Sequence, residues 1–523
     1  MKFTIKIFLA IALLNFGIAT GQNGDPVIES IVKEATQNSH LEKYAHHLLD
    51  VIGPRLVGTP ELKKSHDWIV ETYKALGIEA RNEQWGEWRG WQRGITHIDM
   101  VSPRTQSLIG MQLAWSPSTT DKGVSGGVAI IPDFENKAAF ESWLPSVKGK
   151  FVMSMMKQPT GRPDYNWEEW ATEESFANMK NERDSLTSAW SKNLSRIGYN
   201  YGSYRLNAEG FRKIEEAGAV GVLSSRWSKG FGANRIFNSY SKTIPTIDLR
   251  LEDYTMLYRM VENGTEPVIN LVSKSKELGN VPTFNTIGEI KGSEKPNEYV
   301  MLSAHLDTWD GATGATDNGT GTIVMMEAMR LLKKFYPNPK RTILVGHWSS
   351  EEQGLNGSRA FVEDHPDIVN NLQALFNQDN GTGRVTTIDG SGFLYSYEFI
   401  NRWLEPVPRS IKQHIETNFP GMPTGGGSDH SSFLAAEAPG FRLSSLSWNY
   451  NNYTWHTNID TYDKIVFDDV RNNAILTAIL AYMASEDNKT FPREKRVMPI
   501  SRRTGKQAEW PTKRLPNRKG GQD

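Results

Sequence analysis

The stretch YVMLSAHLDTWDGATGATDNGTG, residues 299–321, decides how this chain reads. It opens as an apolar run, reaches His305 and Asp307, and passes into a glycine-dense loop around Asp317. A short apolar run bounded by turn residues predicts a buried strand. GTIVMMEAMRLLKKFY (321–336) follows at once and predicts a helix. The pattern recurs downstream. RTILVGHWS (341–349) runs toward Glu351 and Glu352, QALFNQD (373–379) ends on Asp379, and GFRLSSLS (440–447) is a further strand. NNAILTAILAYMAS (472–485) predicts a second long helix. Strands alternating with helices predict the α/β class, a doubly wound, mostly parallel sheet flanked by helices. Such sheets place ligand sites beyond the carboxyl ends of their strands. His305, Glu351, Glu352 and Asp379 all fall there.

The chemistry of these residues agrees with their placement. His456, in WHTNIDTYD (455–463), completes a set of two histidines and three carboxylates. Such a set suits a pair of zinc ions if one carboxylate bridges them. Glycines around Asp317 let the backbone fold tightly enough for its carboxylate to reach between two ions. A phosphate-cradling loop would need a Gly-Lys-Ser/Thr ending, which the stretch lacks. Alternation along a strand sets His305 and Asp307 on one side, so Asp307 is placed to orient His305 or a neighbouring group. Glu351 and Glu352 diverge if the turn is irregular. One then binds metal while the other takes a proton from metal-bound water. A surface acidic pair is the plainer alternative, but the strand-end position and the Gln-Gly that follows favour chemistry. Each residue is weak evidence alone; five ligands of suitable type in one order are not.

These motifs resemble the di-zinc exopeptidase family of bacterial leucyl aminopeptidase and carboxypeptidase Q. The resemblance covers residues from about 275 to 485 and the opening segment from about 40. Ile52-Gly53-Pro54-Arg55-Leu56 and Trp91-Gln92-Arg93-Gly94 resemble the carboxypeptidase Q branch most. The resemblance implies Asp317 as the bridge, Glu352 and His456 at one zinc, and His305 and Asp379 at the other. It implies Glu351 as general base and then general acid, Asp307 behind His305, and a metal-bridged hydroxide as the attacking group. It also implies a peptide substrate and a homodimer. Gly427-Ser428-Asp429-His430 resembles a loop of the aminopeptidases rather than of carboxypeptidase Q, which makes His430 a substrate-contact candidate. Tyr450 and Tyr453 are candidates for stabilising the oxyanion. Rival readings are a metal-free receptor on the same fold, a one-zinc glutaminyl cyclase and a related amidohydrolase. The complete ligand set argues against the first, and the GATDNGTG bridge against the last.

The rest of the chain frames this core. At 523 residues, two folded units are the default. Lys+Arg 59 against Asp+Glu 60 gives no global attraction to nucleic acid or membrane. With no cysteine, disulfides, thiolate ligands and a cysteine nucleophile are excluded. Residues 1–21 read as a signal peptide: Lys2 and Lys6, an apolar run from Ile7 to Ala19, then small residues. That predicts a secreted or periplasmic protein, and no other stretch is apolar enough to span a membrane. Residues 22–99 open the catalytic unit, with Thr59-Pro60 capping a helix and NEQWGEWRGWQRG (82–94) expected as a turn-rich segment. Residues 100–272 change texture to short apolar strands between long polar stretches, and are expected to be an inserted β-rich unit resembling a protease-associated domain. Residues 273–487 hold the ligands. Residues 488–523, rich in Lys, Arg and Pro, are expected to be a flexible or surface-wrapping tail.

Overall fold

The computed structural model describes residues 24–202, 205–379, 382–502 and 504–521. The signal-peptide reading of residues 1–21 lies outside them. No helix among the described residues is long and apolar enough to cross a membrane.

The apolar runs form the middle of the sheet. Lys295–His305 lies between Arg341–Trp348 and Leu372–Asn377, parallel to both, and Gly440–Ser445 continues the parallel set. Val385–Asp389 and Glu416–Asn418 complete that edge. Both faces are covered, which is why the runs are continuously apolar. Val300, Leu302 and Ala304 pack into one core with the helices Thr320–Phe335 and Phe467–Glu486. Met301, Leu344 and Leu375 face the other way, into a core with Phe361 and Phe433.

On its far side Arg341–Trp348 pairs antiparallel with Val268–Ile290. That strand and Glu79–Ser102 form an antiparallel ribbon registered from Glu79↔Glu289 to Ser102↔Val268. The segment expected to be turn-rich lies inside this ribbon. Its glycines meet close backbone rather than turns. A Cβ at Gly90 would come within 2.9 Å of the Gly279 carbonyl oxygen, and one at Gly94 within 2.8 Å of that of Lys274. Register shifts fall beside both glycines, so they mark bulges. Trp85, Trp88 and Trp91 are buried in the main core, a packing role.

The ribbon continues into the second unit through Val124–Ile130, so one sheet runs through the molecule. Val124–Ile130, Lys150–Met153, Gly221–Ser224 and Thr246–Leu249 are parallel neighbours. Helices Glu173–Arg196 and Ala208–Glu216 contribute to the core on one face, and Leu251–Glu262 to that on the other. The expected limits of this unit, 100 and 272, fall within the two ribbon strands.

Candidate metal centre

Strand ends and loops bring the five sequence-derived ligands together. His305 is the last residue of its strand, and Asp379 lies two residues beyond Leu372–Asn377. Their side chains meet, His305 Nε2 to Asp379 Oδ1, at 3.0 Å. Asp317 Oδ1 lies 3.5 Å from the same nitrogen. Asp317 turns its other oxygen, Oδ2, to within 3.2 Å of His456 Nε2, which also lies 2.8 Å from Glu352 Oε2. Two ligand triads result, His305–Asp317–Asp379 and Asp317–Glu352–His456, and Asp317 belongs to both. Glu351 lines the same cleft, of about 470 Å³, as does Tyr450.

The histidine tautomer follows from its neighbours. His305 Nδ1 donates to the Asp307 carbonyl oxygen at 2.9 Å, which turns Nε2 toward Asp379 as the nitrogen that would meet a metal. The Asp307 carboxylate is 3.7 Å from that ring and is engaged elsewhere. It accepts the backbone N–H of Glu351 at 3.1 Å and of Glu352 at 3.3 Å. Asp307 therefore holds His305 through its main chain and the glutamate turn through its side chain.

The donor set fits a pair of divalent cations. Asp317 Oδ2 and Glu352 Oε1 are buried without a hydrogen-bond partner among the described residues. Buried, unpaired carboxylates are costly unless a cation compensates them. Burial pushes the Glu351 and Glu352 carboxyls well above the usual range, with neighbouring carboxylates adding to it. Burial also disfavours charge on His305, but Asp379 and Glu351 outweigh it and raise that imidazole well above its ordinary value. Burial lowers His456 to about 4, so it stays a neutral lone-pair donor.

Residues 285–481 match the model of peptidase family M28. This stretch is similar to the M28 peptidases. Carboxypeptidase Q of Homo sapiens is 25% identical over 483 residues, spanning 90% of this chain and 91% of that protein. Carboxypeptidase Q of Xenopus laevis is 27% identical over 485 residues, spanning 89% and 90%. Among solved structures, a Peptidase M28 precursor from Shewanella amazonensis SB2B shares the fold with a TM-score of 0.63 at 23% identity, covering 89% of this chain and 98% of that one.

Around the candidate ligands stand residues that local sequence gave no role. Arg55 is fully buried and staples the loop before Asp317. Its Nε donates to the Leu306 carbonyl at 2.8 Å, Nη1 to that of Thr313 at 2.8 Å and Nη2 to that of Gly314 at 3.1 Å. Asp460 accepts the N–H groups of Thr316 and Asp317. Burial raises its carboxyl to about 7. The inserted unit reaches in as well. Phe237 packs edge-on to His456, with ring centroids 5.1 Å apart, and Ile236 N–H donates to the His456 carbonyl at 2.8 Å. That contact holds His456 at φ 59°, a left-handed conformation unusual outside glycine.

The substrate-contact candidates separate. Tyr450 lines the cleft. Tyr453 turns away: its hydroxyl bonds that of Tyr165 at 3.1 Å, and its ring covers Gly230. His430 is buried, with Nε2 3.1 Å from Thr424 Oγ1, and burial lowers it to about 3. It is not among the residues that line the cleft.

Proposed function

We propose that the chain is an exported, two-zinc exopeptidase acting on short peptides. The observation that carries the reading is the single carboxylate of Asp317 shared between two histidine-containing triads, with Glu351 in the same cleft. His305 and Asp379 would hold one zinc, Glu352 and His456 the other, and Asp317 both. When bound, the ions would supply Lewis-acid polarisation of the scissile carbonyl and an acidified water. Glu351 takes the proton of the attacking water and delivers it to the nitrogen of the leaving amine. The Asp307 carboxylate fixes the backbone from which Glu351 projects. Tyr450, which lines the cleft, would donate its hydroxyl to the developing oxyanion.

The length over which carboxypeptidase Q aligns supports an exopeptidase of the whole two-unit kind. Export rests on the leader-like residues 1–21. The deciding test is to measure metal content and hydrolysis together, on a panel of free and blocked dipeptides. Two zinc equivalents with turnover are expected. A metal-free protein that binds but does not cleave peptides would instead identify a receptor.

A further inference from the structure

The basic segment after the last long helix does not leave the molecule. Phe491 is buried against Phe393, Phe399 and Phe441, and its N–H donates to Gln373 Oε1 at 2.9 Å. Trp510 packs edge-on to Phe393 and donates its indole N–H to the Leu434 carbonyl at 2.7 Å. Arg518 pairs with Glu363 and Asp364, each at 2.7 Å, and donates to the Trp85 carbonyl at 2.8 Å. Lys519–Gly520 then pairs in parallel with Glu87–Trp88 of the ribbon. These anchors make the described residues between 487 and 521 a strap across the catalytic unit.

Between Trp510 and Arg518 the strap runs along the cleft. Pro511 lies over Gly425, and Arg514 lines the same cleft as Asp317, Glu351, Glu352 and Asp379. Arg359, from the helix Asn356–Asp364, lines it too. Among the described residues neither arginine side chain has a hydrogen bond or ion pair. Burial lowers the Arg359 guanidinium and Arg514 lowers it further, against the opposite pull of Asp429 and Glu351, so the two cations feel each other. Two neighbouring, unpaired guanidiniums in a cleft are a site for an anion, and planar carboxylates suit their fork of donors. A cleft of about 470 Å³ lies in the range of small-ligand pockets.

We propose that Arg514 of the strap, with Arg359, binds a carboxylate of the substrate, so that peptide length and charge are read by a residue outside the M28-like stretch. This rests on the exopeptidase reading for the identity of the ligand. The carboxylate is either the free carboxyl terminus or an acidic side chain, and the assay separates them. kcat/KM is measured for an alanyl dipeptide as the free acid, as its C-terminal amide, and as the amide with aspartate in the second position.

Wild type is expected to favour a carboxylate-bearing substrate over the plain amide by about tenfold or more, the scale of one charge-assisted hydrogen bond. Preference for the free acid identifies the terminus; preference for the aspartyl amide identifies the side chain. In R514A the ratio should fall toward one, and R514K should restore part of it. Equal rates in wild type, or a ratio unchanged in R514A, would overturn the proposal. Calorimetric binding of the same ligands with the peptide bond reduced to a secondary amine repeats the comparison without turnover. An acid preference there without hydrolysis of any peptide would keep the carboxylate site and sink the peptidase reading alone.

Discussion

The Asp460 carboxylate accepts the backbone N–H of Asp317 at 3.0 Å, across 143 residues of sequence. It accepts the Thr316 N–H as well, at 2.9 Å, so one buried side chain sets the loop that carries the shared ligand. Groups that orient metal ligands in this way typically alter metal affinity by about 10–100-fold. Asp460→Ala should weaken zinc by that order, read by competition against a chelator. Wild-type affinity in the variant would remove Asp460 from the support of the site.

Glu351 belongs to neither candidate triad, so a proton-transfer role is separable from metal binding. Glu351→Gln should keep both metals and lose turnover by about 10²–10⁴-fold, the usual contribution of a general base. Metal analysis beside a dipeptide assay gives both numbers. Turnover close to wild type would move the proton transfer to another group.

Arg55 is buried and donates to carbonyls on both sides of the glycine loop. Its removal takes the Arg55 donors from the Leu306 and Thr313 carbonyls and opens a void, while the Gly314 carbonyl keeps the Gly319 N–H. Arg55→Ala should cost about 3 kcal/mol or more in stability. Burial lowers its pKa to about 10, still leaving it charged at neutral pH. Denaturant unfolding measures the loss, and a change within a few tenths of wild type would mean the loop holds itself.

Glu34 docks the helix Pro26–Gln37 onto Thr320–Phe335 through Lys334 and Arg330, each at 2.8 Å. The Lys334 hydrogen bond first, and that of Arg330 next, hold its carboxyl at about 2 rather than 4.5. The folded state thus favours the charged form. Its stabilisation is complete above pH 4.5 and is lost as pH falls through that value toward 2. Urea midpoints of wild type and Glu34→Gln should therefore differ most above pH 5 and converge on acidification. A gap independent of pH would show that the pair contributes no titrating charge.

The candidate ligands were legible as a set because their segments follow apolar runs and are rich in small or polar residues, a local signal. His305, Asp317, Glu352 and Asp379 needed no knowledge of distant contacts to be singled out. Their supports were not legible in the same way. Arg55 meets Leu306 from 251 positions away, and Asp460 reaches Asp317 only after the chain has folded. The glycines at 90 and 94 misled for a related reason: glycine signals a turn locally, but here it answers a neighbouring strand. The tail read as basic and Pro-rich, yet Phe491 and Trp510 tie it down through aromatic packing that composition averages away. Tyr450 and Tyr453 are both tyrosines on one short helix, and only the helix orientation tells them apart.

The antiparallel ribbon also limits how the two halves can move. Its rungs run from Glu79↔Glu289 to Ser102↔Val268, and the His456 carbonyl is tied to Ile236 beyond it. Swinging the halves apart would have to break hydrogen bonds of the ribbon and the bond from Ile236 to His456. For the same reason neither half can be cut out as a module: severing the ribbon would bare two long strand edges, an invitation to aggregate.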